Sequence, residues 1–244
     1  MALTLYQFKG GMNGLPNPSP FCMKLETYLR LAGMPYTVHT VRGRPGSTTG
    51  KAPYIDLDGK IFTDSSLIIE HLERTGGHKL DGRLTLAQRA ESLAIQRMLD
   101  EHLYWVMVYG RWVDPQCQRE SDGYLKELLG LPGLLQPPIA YLLRRNVRRA
   151  LHGHGLGRHS RETLYQFGIA DVAALGHWLG ARPYGFGDSP TVVDACMAAY
   201  IGNIVRQPWT NPLTAATAKY GNLVAHFERV MAQAFPELST KAAA

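Results

Sequence analysis

The stretch that most restricts how this chain can fold is Asn17-Pro18-Ser19-Pro20-Phe21-Cys22-Met23-Lys24-Leu25, where a loop gives way to a helix. Ser19 is the expected N-cap, and Pro20 takes the first helical position, where its missing N–H costs nothing. Phe21, Leu25, Tyr28, Leu29 and Ala32 recur at helical spacing and give residues 20–32 one apolar face, which Gly33 closes. Ahead of this helix, Leu3-Thr4-Leu5-Tyr6-Gln7-Phe8 reads as a strand and residues 9–18, with several Gly and Pro, as a loop. Behind it, Tyr36-Thr37-Val38-His39-Thr40-Val41 reads as a second strand. Strand, helix and strand in so short a run make a βαβ unit, in which the two strands pair in parallel.

The segment from Arg42 to Ala52 is rich in Gly, Ser, Thr and Pro and leaves room for a turn of helix at most. Residues 53–57 and 60–63 then flank Asp58-Gly59, a strong hairpin signal, and Thr63-Asp64-Ser65-Ser66 supplies caps for a helix that ends near Thr75-Gly76-Gly77. The order βαβ, hairpin, helix is thioredoxin-like. From there on every long segment is helical: 86–113 as one helix, a basic helix at 138–152, then 161–179, 192–205 and 222–234. The expected architecture is α/β plus all-α, with a thioredoxin-like domain at 1–76, a linker at 77–83 and a helical domain at 84–244. A hydrophobic content of 45% suffices for two such cores.

Without a basic leader or an apolar run of about 18 residues, the sequence points to a cytoplasmic protein that neither is exported nor spans a membrane. Cys22, Cys117 and Cys196 are few and widely spaced, which suits a reducing compartment and suggests neither a disulfide framework nor a zinc site. Asp100, Glu101 and His102 diverge by about 100° per residue on a helix and cannot converge on one ion, so no metal site is expected. The formal charge of +6 favours anionic ligands. Its densest part, Arg144, Arg145, Arg148 and Arg149, lies in a segment from Leu128 to Arg161 without Asp or Glu and reads as a solvated face, not a nucleic-acid or membrane contact.

Three places can carry chemistry. A hydroxyl at a helix N-terminus, such as Ser19, can hydrogen-bond a bound thiolate and keep it ionised; its plainer role is capping alone. Lys51-Ala52-Pro53 opens a strand with proline; with a cis bond there, the backbone of Ala52 would face outward and pair with an extended peptide. At Asp64-Ser65 a carboxylate and free N–H groups together match the ammonium and carboxylate of an amino acid, or form a simple cap. On the long helix, Arg97, Glu101, Trp105, Tyr109 and Trp112 fall within an arc of about 120°. That stripe reads first as core or interface packing and second as a cleft lining. Thr191-Val192-Val193-Asp194 is a capping-box pattern before an apolar run and is structural.

Ser-Pro-Phe-Cys at a helix start, Lys-Ala-Pro, Asp-Ser before a helix and Thr-Val-Val-Asp in a helical second half together resemble the glutathione S-transferase superfamily. Residues 19–30, 101–105 and 155–160 look like its metaxin and failed-axon-connections (Fax-like) branch, bacterial type. The resemblance implies glutathione as cosubstrate, a small electrophile as second substrate and a homodimer. It places the thiol at Ser19, with Tyr6 as runner-up because other classes carry a tyrosine in the first strand. It places the peptide at Lys51, Ala52, Pro53, Asp64 and Ser65; Tyr104, Trp105, Tyr109 and Trp112 are the candidate lining for the second substrate. Two departures from the family stand out: a long loop before Ser19 and no room for the usual second helix. A metaxin-like protein that binds or assembles without catalysis is the alternative.

Overall fold

The protein is described by a computed structural model covering residues 2–77, 79–129 and 136–239. Position 78 of the expected linker, 130–135 of the acid-free segment and 240–244 of the expected second domain lie outside the described residues. Strand β1 (Leu3–Gln7) leads through the Gly- and Pro-rich loop to helix α1 (Pro20–Leu31) and then to β2 (Thr37–Thr40). After β3 (Tyr54–Leu57) and β4 (Lys60–Thr63) comes α2 (Ser65–Thr75). The sheet order is β2-β1-β3-β4, with β1 and β2 parallel and the other pairs antiparallel. Leu3, Leu5 and Ile55 face α1 and α2, where they pack with Leu25, Tyr28, Leu29, Ile68 and Leu72. No helix forms between β2 and β3, as the short Gly- and Pro-rich segment requires.

Helices α3 (Leu86–Arg97) and α4 (Tyr104–Trp112) come next, then α5 (Gln118–Leu129), α6 (Gln136–His154), α7 (Arg161–Leu179), α8 (Val192–Val205), α9 (Pro212–Thr217), α10 (Gly221–Ala234) and α11 (Pro236–Ser239). The sequence pattern did not single out α5 or α9. Helix α8 is buried from Val192 to Ile204, which is why its sequence is apolar all round. Its N-terminus carries the expected capping box, Asp194 accepting from Thr191 N–H at 2.8 Å, and His226 Nε2 lies 2.8 Å from Asp194 Oδ1. The segment joining α2 to α3 is pinned: Glu73 accepts from Tyr28 and from the N–H groups of Leu80 and Asp81, and Asp81 caps α8 at Val192 N–H.

Two readings of the helical half are corrected. Residues 86–113 do not form one regular α-helix, because Met98–Leu103 is a π-helical turn between α3 and α4, with Tyr104 N–H reaching Leu99 O. Such a turn closes i→i+5 bonds and rotates the side chains of α4 about the axis relative to those of α3. Arg97 and Glu101 are exposed and do not continue the face of Trp105, Tyr109 and Trp112. Arg144 is not on a solvated face either: it is 7% exposed, pairs with Asp122 at 2.6 Å and donates to Ser121 Oγ at 3.1 Å.

The π turn places Asp100 in the interior, where it meets Lys24 of α1 at 2.7 Å, both side chains essentially inaccessible. Asp100 also accepts from Ser66 Oγ at 3.2 Å and Tyr200 OH at 3.0 Å, and Lys24 donates to Ser66 Oγ at 3.0 Å. A buried ion pair is tolerated only when its remaining bonding capacity is met in this way. Lys24→Met is expected to destabilise the protein by about 3–5 kcal/mol, because it strands a buried carboxylate. Lys24→Met combined with Asp100→Leu should recover much of that loss in urea unfolding. Equal midpoints for the parent and Lys24→Met would show that the pair does not hold the fold.

Candidate functional site

Ser19 caps α1 with extended backbone, and its Oγ accepts from Cys22 N–H at 3.4 Å. The hydroxyl is half-buried at the positive end of the helix, beside the Cys22 thiol. The long loop before it is fixed from both halves of the chain. Asn17 accepts from Ser19 N–H at 3.0 Å and donates to Phe8 O at 2.8 Å. Arg111 of α4 donates to Pro18 O at 2.6 Å and to Asn203 Oδ1 of α8 at 2.9 Å, while Asn203 reaches Asn17 O at 3.3 Å. A guanidinium thus sits one residue from Ser19, adding positive charge where the helix dipole is already positive. The sequence reading gave no role to Arg111, Asn203 or Asn17; an Arg on an otherwise aromatic helix was the one available signal.

The peptide-facing residues lie in the first half. The Ala52–Pro53 bond is cis. Ser47 Oγ accepts from Lys51 N–H at 3.0 Å and donates to Lys51 O at 2.7 Å, which fixes that backbone and leaves the Lys51 side chain exposed. Asp64 caps α2 through Oδ1, accepting from Ser66 N–H at 2.9 Å and Leu67 N–H at 3.2 Å. Its carboxylate is exposed, and its backbone has φ 71° and ψ 120°, a conformation that costs a non-glycine residue about 1–3 kcal/mol. Ser65 is buried beside it, its hydroxyl bonded to no other described residue.

Tyr6 lies elsewhere. Gln7 on β1 bonds Glu26 of α1, so Leu5 and Gln7 face α1, and Tyr6 points to the opposite side of the sheet. There it stacks on Tyr54 at 4.5 Å and packs near His39 at 4.9 Å. The four aromatic residues of the expected second-substrate pocket are also divided. Tyr104 packs on Phe21 of α1 at 4.8 Å, and burial pushes its phenol up, so it stays protonated. Trp105 packs on His154 and Tyr109 on Tyr165. On an α-helix Tyr109 stands about 160° from Arg111, so it faces away from Ser19; this corrects the grouping. Trp112 is half-buried against the helical core.

Cys22 is fully buried one turn into α1, and burial pushes its thiol up to about 11, so it is neither ionised nor accessible near neutral pH. Among the described residues no group of three or more His, Cys, Asp or Glu is arranged to hold a metal ion, and no helix is long and apolar enough to cross a membrane.

A thioredoxin-like sheet domain with a serine at the start of its first helix, a cis-proline and an all-helical second half defines a glutathione-transferase architecture. Family models agree. The model for the glutathione S-transferase N-terminal domain matches residues 20–117, and that for the C-terminal domain matches residues 168–230. The chain is 31% identical over 227 residues to the isoprene-epoxide glutathione S-transferase of Rhodococcus sp., covering 90% of this chain and 94% of that one. It therefore belongs to the glutathione S-transferase superfamily. It is 33% identical over 248 residues to Failed axon connections of Drosophila melanogaster, spanning 96% of this chain but 58% of that protein's length. With human Metaxin-2 it shares 24% identity over 229 residues, covering 93% of this chain and 86% of that one. Among solved structures, the beta-etherase LigF of Sphingobium sp. has the same fold, with a TM-score of 0.65, 21% identity and coverage of 99% and 100%.

Arg111→Met removes the charged donor from Pro18 O and is expected to cost about 1.5–3 kcal/mol. Amide hydrogen exchange at Cys22 and Met23, whose N–H groups bond to Ser19, should accelerate with it. Unchanged exchange there would mean that the loop holds Ser19 without Arg111.

Proposed function

We propose that this protein is a glutathione transferase that promotes attack of the glutathione thiolate on a small electrophile. The observation that carries this reading is Ser19: a half-exposed hydroxyl at the N-terminus of α1, fixed by Asn17 and backed by the Arg111 guanidinium. In this reading Ala52 pairs with the cysteinyl backbone, Asp64 and Ser65 hold the γ-glutamyl end, and Lys51 approaches the glycyl carboxylate. A free thiol has a pKa of about 8.5, so at neutral pH it is only a few per cent ionised. A hydroxyl donor, the helix dipole and a guanidinium all favour the thiolate. Its sulfur lone pair then forms a bond to the electrophilic carbon, and the electron pair of the broken bond leaves with the departing or ring-opened group.

The placement of Tyr6 on the far face of the sheet supports Ser19 over Tyr6 as thiol partner, and the placement of Tyr104 supports it over Tyr109 as a contact for the electrophile. The division into domains at 1–76 and 84–244 belongs to the same proposal, as does a cytoplasmic homodimer. Ile61, Leu67, Leu86 and Leu93, exposed at 45%, 59%, 86% and 52% on β4, α2 and α3, support such pairing. The second reading is a transferase fold used for binding or assembly, which the likeness to Failed axon connections and Metaxin-2 favours. Calorimetric titration with glutathione separates the two: saturable binding supports the first, and silence the second.

Asp64→Asn keeps a good helix cap but removes the charge, and Ser65→Ala removes a hydroxyl. Each is expected to weaken glutathione binding by about 1.5–3 kcal/mol, with unfolding midpoints nearly unchanged. Binding equal to the parent in both variants would remove these residues from the site.

Ser19→Ala is expected to lose conjugating activity while keeping glutathione affinity. Ser19→Cys should gain thiol–disulfide exchange, because the helix N-terminus lowers the new thiol's pKa. Full conjugation by Ser19→Ala, with loss in Tyr6→Phe, would transfer the role to Tyr6.

A further inference from the structure

Helix α6 buries Ala140, Arg144 and Leu151 and turns its opposite face to solvent. On that outward face Tyr141, Leu142, Arg145, Arg148, Arg149 and His152 fall within an arc of about 120°, and all six are exposed. Tyr141 and Leu142, exposed at 61% and 52%, are large apolar neighbours in the sequence. Adjacent side chains of this kind are more than the scattered apolar residues of an ordinary surface, and covering them would be favourable. The cations beside them are unpartnered: among the described residues, Arg145, Arg148, Arg149 and His152 form no hydrogen bond or ion pair. Arg144, on the buried side, differs in being held by Asp122 at 2.6 Å.

No Asp or Glu occurs between Leu128 and Arg161, so α6 supplies no counter-charge of its own. The order along the helix matters as much as the composition. The apolar pair comes first, and the cations begin about 6 Å further along the axis and continue for about 10 Å. Flanking the apolar end is a cavity of about 490 Å³ between α5 and α6, bordered by Pro137, Ala140, Tyr141 and Arg148. Asp122 also borders it, but that carboxylate is taken up by Arg144. The matching object therefore has an apolar anchor at one end and carboxylates at fixed distances from it. A helix with an apolar residue at position i and carboxylates near i+4 and i+7 carries them at those spacings. A bilayer matches less well, because a helix lying on lipid needs apolar residues along its whole length. From Arg145 onward the exposed residues of α6 are Arg, Asn, His, Ala150 and Gly153, with no large apolar side chain. A nucleic acid would need a longer charged track with aromatic residues interleaved.

We propose that the outward face of α6 docks an acidic helical segment of a partner protein. The apolar anchor of that segment covers Tyr141 and Leu142 at the mouth of the α5–α6 cavity, and its carboxylates pair with Arg145, Arg148 and Arg149. None of these residues belongs to the candidate site at Ser19, and the docking does not depend on glutathione.

The probe is a dye-labelled amphipathic peptide of about 18 residues, long enough to be helical and built from Glu, Ala and Leu. Its control carries Lys at every Glu. Fluorescence anisotropy of each is measured against the full chain at about 0.15 M salt. Saturable binding of one Glu peptide per chain is expected, with the Lys peptide at least about tenfold weaker. Arg145→Glu and Arg148→Glu should each weaken the Glu peptide at least about tenfold, and Tyr141→Ala and Leu142→Ala at least about threefold. All four should keep the unfolding midpoint of the parent, because the side chains are exposed. Lys219→Glu makes the same charge change at an exposed position after α9 and should bind within about twofold of the parent. The proposal fails if the Glu peptide does not bind saturably or if the Lys peptide binds equally. It also fails if the Tyr141 and Leu142 variants bind like the parent, or if Lys219→Glu weakens binding as much as the α6 variants do. Cosedimentation of the chain with phosphatidylserine vesicles at the same salt, lost in Arg145→Glu and Arg148→Glu, would instead assign the face to a lipid surface.

Discussion

A buried ammonium and a buried carboxylate, Lys24 and Asp100, meet at 2.7 Å between the first helix and the π turn of the helical half. Neither charge can be left alone in that environment, since an isolated ion there costs several kcal/mol even after relaxation. Each therefore requires the other half of the chain to be in place. Ser66 of α2 and Tyr200 of α8 complete the bonding, so four elements are tied to one pair of charges. The apolar packing of α1 on α8 supplies area, but it lacks this directional requirement.

The candidate site inherits its geometry from that tie. Lys24 lies on the same helix as Ser19, and holding α1 against the π turn brings Pro18 to Arg111 and Phe21 to Tyr104. The serine hydroxyl, the guanidinium and the aromatic wall come from distant parts of the sequence, yet they converge because α1 cannot rotate without breaking a buried ion pair. The π turn has a second effect. By changing the phase of the helix after Leu103, it decides which aromatic side chains of α4 pack on α1 and which on α6.

Local physics made much of this legible from residue types. Ser19-Pro20 announced a helix start, Asp58-Gly59 a hairpin and Thr191-Val192-Val193-Asp194 a capping box, and each forms as read. The parallel pairing of β1 with β2 was implied by chain connectivity. The Asp64 cap, with its unusual backbone, was visible as a capping residue but not as a strained one, because φ and ψ are set by the hairpin that delivers the chain to α2. Arg144 illustrates the opposite case. Its neighbours in sequence are solvated arginines, and its burial depends on Ser121 and Asp122 of α5, a helix whose polar sequence gave little warning.

By itself the sequence determined the order of elements, their caps and turns, and the residue types at the first helix start, because those depend on contacts within a few residues. Periodicity could not determine the phase of α4. A single π turn shifts every later side chain around the axis, and nothing local distinguishes the residues that form it. Tertiary structure also decided that Lys24 and Asp100 are partners, that Arg111 and Asn203 hold the Pro18–Ser19 loop, and that Tyr6 faces away from α1. Each of these joins groups far apart in sequence, and burial leaves each of the charged ones few alternatives: a charge removed from water must find its counterpart wherever the fold provides it.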